Sequence, residues 1–252
     1  MQIQTEGIVI KESNVGENDK YITILTKDLG TVEAYVKGAR KKGSHLAAST
    51  GMFCYSAFEL FQNKSRYYVD EANINQLFYD IRLDLMRLSI ASYFCQIIYE
   101  IKPDSDNCGD ILRLMLNSIH LLANTKKDER IIKAVFELRA MALSGLCPDL
   151  VACRDCGKFN DKMRFYITDG TILCDECANV QARSQEEFGF AYITPSVLAA
   201  MRHIAYSGAE KVFSFTLDDE NLKLLGEVCE SYLVCQTERN YRSLEFLKTL
   251  MK

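Results

Sequence analysis

Residues 153–177 read CRDCGKFNDKMRFYITDGTILCDEC. Cys153-x2-Cys156 and Cys174-x2-Cys177 stand with 17 residues between them. Nothing else in the chain restricts the fold as strongly, because four thiolates so spaced match the four-cysteine zinc pattern. A tight turn lets two sulfurs two residues apart face one ion, and a second turn completes the tetrahedron. Gly157 stands where such a turn often needs a positive φ. Between the pairs, MRFYITDGTIL reads as a short hairpin turning at Asp169-Gly170. The reading is a zinc ribbon or finger holding one structural Zn2+ per chain. A thioredoxin-like pair would open a helix in a βαβ setting, and neither pair reads that way. Catalytic zinc keeps an open position and uses His, Glu or Asp, whereas four cysteines fill the sphere.

The N-terminus, MQIQTEGIVIKESNVGENDK, lacks a basic segment and a small-residue cleavage site. No apolar run approaches the 18 or so residues of a membrane span. The expected compartment is therefore the cytoplasm, where thiols stay reduced. Of ten cysteines, the six outside the pairs (Cys54, Cys95, Cys108, Cys147, Cys229, Cys235) read mostly as small buried hydrophobes.

The flanks divide into three further parts. Residues 1–80 read as a small β-barrel. EGIVIKE, KYITILTKD, GTVEAYVKG, FCYSAFELFQ and RYYVDEANI are short strands punctuated by turns. Val32, Ala34 and Val36 alternate with Glu33, Tyr35 and Lys37, the two-residue period of a half-buried strand. Five strands in so short a segment suit a closed barrel. An OB-fold is the natural candidate, with an SH3-like barrel as competitor. Residues 81–146 read as the first part of a helical domain, with Ile81, Leu85, Leu88, Ser92 and Cys95 forming one stripe, widened by Phe94, Ile97, Ile98 and Ile101, that Pro103 ends. Residues 147–180 are the four-Cys finger. Residues 181–252 are the second helical part, opening at Thr194-Pro195. The fold class is thus α+β multidomain: an OB-type barrel, then an all-α domain interrupted by a zinc finger.

The chain offers no catalytic constellation. GxxxxGK[ST], GxGxxG and GxSxG are absent. His120 and His203 read as helix residues, His45 as a solvated loop residue, and Asp218-Asp219-Glu220 as a helix start favouring the dipole. The formal net charge is -4, so any nucleic-acid contact must come from a local patch. One exists. In VKGARKKGSHLAAS, Lys37, Arg40, Lys41 and Lys42 fall within six residues, with Gly38 and Gly43 beside them. Phosphates require such charges. Tyr35 lies just upstream, and Tyr21, Tyr67 and Tyr68 offer further rings for base stacking. The competing reading is a solvated loop beside ordinary strand tyrosines.

The EGIVI strand, GENDK, the T..LG turn and KGARK occur in that order, followed by FELF, SGLCPDLVACRDCGK and a terminal YRSLEFLKTL. This combination resembles the bacterial RecO recombination mediators over essentially the whole chain. The resemblance implies an OB-fold that binds single- and double-stranded DNA and anneals complementary strands without nucleotide hydrolysis. It implies action with RecR to load recombinase onto DNA coated by single-strand binding protein, SSB. It also implies a helical domain that receives the acidic-hydrophobic C-terminal tail of SSB. Carried onto this chain, the DNA contacts are Lys37, Arg40, Lys41 and Lys42, with Lys20 added. The rival reading is a non-enzymatic interaction scaffold that does not bind DNA, and a zinc-dependent enzyme comes third.

Overall fold

The computed structural model describes residues 1–159, 162–181 and 189–250. Two compact units form. One is Met1–Lys126 with the returning chain from Tyr241, and the other is Lys127–Asn240.

The first unit begins with five strands: β1 (Gln2–Val15), β2 (Asp19–Thr26), β3 (Thr31–Val36), β4 (Cys54–Asn63) and β5 (Arg66–Leu77). They close into a barrel in the order β1-β2-β3-β5-β4. Every pairing is antiparallel except β3 with β5, which run parallel through Ala34↔Tyr67 and Tyr35↔Tyr68. This connectivity decides for the OB-type barrel over the SH3-like one. β1 serves two neighbours. Its first half pairs with β4 from Gln2↔Phe61 to Ile8↔Tyr55, and its second half pairs with β2 as far as Val15↔Asp19. The transfer is made at a bulge: Val9 faces Ile24 and Lys11 faces Thr23, so Ile10 has no opposite residue. One inserted residue bends the strand and sharpens its twist. The alternating residues Val32, Ala34 and Val36 point inward, as their period requires, and join Val9, Ile22, Ile24, Phe58 and Leu60 in the core. The short helix α1 (Leu46–Ser49) lies between β3 and β4 and adds Leu46 to that core.

A 3-10 turn at Tyr79–Leu83 leads to α2 (Leu85–Ile101) and α3 (Cys108–Asn124). Asp84 caps α2 by accepting from the Arg87 N–H. The helix ends ahead of Pro103, with Lys102 in the left-handed region at φ 49°. The buried side of α2 keeps Phe94, Cys95, Ile97 and Ile98 of the expected stripe and departs from it at the N-terminal end. Ile81 belongs to the 3-10 turn, and Leu85 is more than half exposed. The buried residues are Ser89, Ile90, Ala91, Tyr93, Phe94, Cys95, Ile97 and Ile98. They occupy well over half the circumference, as a helix covered on several sides requires. Part of that cover is α8 (Arg242–Leu250), which returns to α2. Ser243 donates to the Gln96 side-chain oxygen, and the Tyr93 and Tyr241 rings meet edge to face at 5.7 Å.

The second unit holds α4 (Glu129–Leu143), β6 (Met163–Tyr166), β7 (Thr171–Cys174), α5 (Asp175–Gln181), β8 (Phe190–Ile193), α6 (Pro195–Tyr206) and α7 (Asp219–Thr237). Gly145, at φ 83°, follows α4 as its C-terminal stop, and Thr194 caps α6 with Pro195 in its first turn. β6 and β7 are the expected hairpin. β8 adds an unanticipated third strand, in the order β7-β6-β8. α4 and α7 bury Lys133 between Glu137 and Glu230, each at 2.8 Å. Burial opposes the Lys133 charge, but the two carboxylates outweigh it and raise its pKa.

Among the described residues, no helix is long and apolar enough to cross a membrane. The turn between β2 and β3 is tightly constrained. Gly30 has φ 72°, its carbonyl accepts from both the N–H and hydroxyl of Thr26, and Thr31 donates to the Pro103 carbonyl. A Cβ on Gly30 would collide with that same Pro103 oxygen, which is backbone and cannot swing aside. Gly16, at φ 58°, has open space around it. Gly30→Ala is expected to cost about 2–4 kcal/mol through positive φ plus overpacking. Gly16→Ala is expected to cost about 1 kcal/mol. Urea midpoints of the two variants test the order; equal midpoints would show that the Pro103 contact yields freely.

Candidate metal centre and nucleic-acid interface

The four sulfurs of Cys153, Cys156, Cys174 and Cys177 all lie within 4.8 Å of one another, and Cys156 and Cys174 approach to 3.6 Å. Among the described residues this is the one group of three or more His, Cys, Asp or Glu side chains so assembled. The first pair sits on a tight turn: Gly157 donates to the Cys153 carbonyl at 2.9 Å, and Gly157 has φ 71°. The second pair corrects the sequence reading. Cys174 ends β7 and Cys177 lies in the first turn of α5, so this pair does open a helix. The setting is still not thioredoxin-like, since β7 belongs to an antiparallel sheet and the other pair completes the cluster.

Salt bridges brace the centre. Arg154 bonds Asp169 at 3.1 Å, fixing the first turn to the hairpin tip. Arg164 on β6 holds α5 through Asp175 at 3.0 Å and Asn179 at 2.6 Å. Burial pushes the Cys153 thiol up, but amide donors from Cys174, Cys156 and Asp155 outweigh it and bring it down to about 6. The sulfurs of Cys156 and Cys174 drive Cys177 the other way. Without a cation the four cannot all be thiolates, whereas a bound cation reverses that penalty. The donor set therefore fits a metal ion. All ten cysteines are free. Cys54, Cys95, Cys108 and Cys229 are buried as expected, whereas Cys147 is exposed and Cys235 half-buried.

On the barrel, β3 runs directly into the basic turn. Lys37, Arg40, Lys41 and Lys42 are all exposed. Between them Ala39 is buried in the barrel core and pins the turn. Gly38 takes φ 69° and donates its N–H to Asp19 Oδ1 at 2.6 Å. The Arg40 N–H donates to the Asn18 carbonyl at 2.9 Å. The β1–β2 and β3–α1 connections are thus laced together. Tyr35 donates its hydroxyl to Asp19 Oδ2. The Tyr35 hydrogen bond and then the Gly38 amide hold the Asp19 carboxyl below its usual range.

Tyr21, Tyr35 and Tyr68 stand side by side across β2, β3 and β5, because Tyr21 is opposite Tyr35 and Tyr35 opposite Tyr68. Ring centroids are 5.2 and 6.0 Å apart, both pairs edge to face. With Glu33, Arg66 and Tyr67 they line a cavity of about 280 Å³. Tyr67 is opposite Ala34 and packs partly against the barrel core, so it is not in the row. Lys20 lies elsewhere than expected. It is 5% exposed, its register partner is the inward Val36, and its ammonium donates to Glu12 (2.9 Å) and the Thr50 carbonyl (2.7 Å). Lys64 and Arg66, exposed at the β4–β5 turn, were not singled out in the sequence. Their signal is a basic pair immediately before Tyr67-Tyr68, visible only once β5 is known to lie beside β3. The histidines make ordinary contacts: His120 with Asn124, His203 with the Lys211 carbonyl at 2.7 Å.

Comparison with known proteins covers both units. Residues 1–78 match the family described as Recombination protein O N terminal, and residues 82–245 match Recombination protein O C terminal. A protein named DNA repair protein RecO from Acetivibrio thermocellus is 36% identical over 249 residues, 98% of this chain and 97% of that protein. Proteins of the same name from Alkaliphilus metalliredigens and Symbiobacterium thermophilum are each 29% identical, covering 99% and 97% of this chain and 100% and 96% of their own length.

Cys153→Ser and Cys174→Ser should each lose bound metal, whereas Cys235→Ser should keep it. Protein prepared without chelator is expected to carry about one equivalent. Elemental analysis giving well under half an equivalent in the unaltered chain would contradict the site.

Proposed function

Because the chain belongs to the RecO family of DNA repair proteins, we propose that its barrel holds DNA strands by backbone charge and base stacking and promotes their annealing. The observation that carries this reading is the continuity of the tyrosine row with the basic turn on one barrel. Lys37, Arg40, Lys41 and Lys42 neutralise phosphates and release counterions. Tyr35, flanked by Tyr21 and Tyr68, gives successive bases a platform that is indifferent to sequence. Lys64 and Arg66 extend the charge along the same edge. Lys20 is left out of this set, since its ammonium is buried and engaged by Glu12 and Thr50. A strand held by its backbone keeps its pairing edges free, so annealing needs no nucleotide hydrolysis. The protein is in this reading not an enzyme. It works on single- and double-stranded DNA in the cytoplasm at the nucleoid. With RecR it helps load recombinase onto SSB-coated strands, and its helical part receives the acidic SSB tail.

The metal in this reading is Zn2+, one per chain. Zinc–thiolate bonds of about 2.3 Å in a tetrahedron set sulfurs about 3.8 Å apart, close to the 3.6 Å between Cys156 and Cys174. Four cysteines leave no open coordination position, so the ion braces the finger and takes no part in a reaction.

Annealing of complementary strands precoated with SSB, without ATP, should exceed the protein-free rate. Replacing Arg40, Lys41 and Lys42 together with Ala should flatten the plot of log affinity against log salt by about 2 on single strands, three phosphates at about 0.7 each. Tyr68→Ala should weaken binding by about 1–3 kcal/mol while leaving that slope alone. An unaltered protein with no affinity for bare strands at low salt would favour the interaction-scaffold reading.

A further inference from the structure

Asp19 stands at an electrostatically unfavourable place for a nucleic-acid binder. It is the first residue of β2, opposite Val15, at the mouth of the basic turn. A carboxylate beside Lys37, Arg40, Lys41 and Lys42 subtracts from the field that attracts phosphate. The geometry shows what it does instead. Each of its oxygens has a separate partner: Oδ1 accepts from the Gly38 N–H at 2.6 Å and Oδ2 from the Tyr35 hydroxyl. One side chain therefore grips both the leading amide of the cationic turn and the central ring of the tyrosine row. The neighbouring residue repeats the attachment, since the Asn18 carbonyl accepts from the Arg40 N–H at 2.9 Å. The Arg40 guanidinium also reaches the Gly16 carbonyl at 3.4 Å.

We propose that Asp19 is a positioning residue for DNA: it sets the phosphate-binding turn and the Tyr35 ring in fixed register, without touching the nucleic acid itself. This rests on the DNA-binding reading above. A strand placed on the row has a fixed spacing between base and phosphate, so the two sets of contacts reinforce each other only if ring and turn are held together. Only an ionised carboxylate accepts both hydrogen bonds at once. An Asn side chain keeps one acceptor oxygen, for the Gly38 N–H, and presents an NH2 to Tyr35, whose hydroxyl loses its acceptor and must turn round to accept. Ionic hydrogen bonds of this kind are also roughly twice as strong as neutral ones.

Charge and position make opposite predictions, which makes the test decisive. Asp19→Asn removes a negative charge beside the strand, so if charge alone mattered it should bind single-stranded DNA more tightly. If Asp19 positions, the variant should bind on the order of tenfold more weakly, with its salt slope unchanged because every cation remains. The amide hydrogens of Gly38 and Arg40 should also exchange faster in the DNA-free variant. Tyr35→Phe keeps the ring and removes only the hydroxyl. It should weaken binding about two- to fivefold, and should add less than its full effect to Asp19→Asn because the two share one contact. The experiment is a salt titration of oligonucleotide binding for the unaltered chain and these variants, with thermal unfolding alongside. Equal or tighter binding by Asp19→Asn, with the unaltered chain binding normally, overturns the positioning role alone. Should Asp19→Asn fail to fold, unchanged affinity in Tyr35→Phe overturns it instead. No binding by the unaltered chain at low salt overturns the DNA reading and this inference with it.

Discussion

The barrel depends on the parallel contact between β3 and β5. β3 is only six residues long, and β2 occupies one of its edges throughout. Its other edge meets β5 at two register pairs, Ala34↔Tyr67 and Tyr35↔Tyr68. Without them the sheet would end in two rows of unpaired amides and carbonyls, open to pairing with any other chain. The same two pairs sort the side chains. Ala34 faces the core, and its small volume leaves room for Tyr67 to pack there. Tyr35 faces out and meets Tyr68. Closing the barrel and building the tyrosine row are one event, because a residue period of two puts alternate members of each pair on opposite faces.

What could be read from the sequence divides along the same line. Local signals were legible. The alternation in Val32–Val36, the Thr194-Pro195 cap, the glycine after α4 and the cysteine spacing each rest on chemistry within a few residues. Signals that need a distant partner were not. Lys20 looks like a surface cation in KYITILTKD, yet β2 turns it inward, where Glu12 and the Thr50 carbonyl, 8 and 30 residues away, receive it. The expected stripe on α2 held at Phe94, Cys95, Ile97 and Ile98 but took in the exposed Leu85 and missed Ile90, Ala91 and Tyr93, for a related reason. Apolar residues surround that helix, and a period cannot tell which side is buried when several sides are. β8 was missed because four residues give too little pattern, and Asp19 because a lone Asp in GENDK reads as a turn residue.

Within the second unit the problem of internal charge is solved in two ways. Around the cysteines, ion pairs such as Arg154–Asp169 and Lys158–Glu176 sit at the surface, where each contributes little to stability. They orient the turns and leave the sulfurs to a cation. Between α4 and α7 the charges are instead buried and must satisfy one another. Removing one member of such a group would strand its partners. The finger's geometry is therefore conditional on an ion, whereas the α4–α7 packing carries its own countercharge.

The return of α8 to α2 has a consequence for the order of events during synthesis. The residues between them in sequence make a second compact unit, so the chain leaves the first unit, completes another, and comes back. Until Tyr241 and Ser243 emerge, the edge-to-face contact with Tyr93 and the hydrogen bond to the Gln96 side-chain oxygen cannot form. The barrel can close as soon as β5 has left the ribosome, but α2 keeps an apolar flank uncovered through more than a hundred further residues of translation. At about 5–20 residues per second that interval lasts on the order of ten seconds. During it the nascent chain presents a surface for chaperones to cover, and that surface disappears only with the last turns of helix.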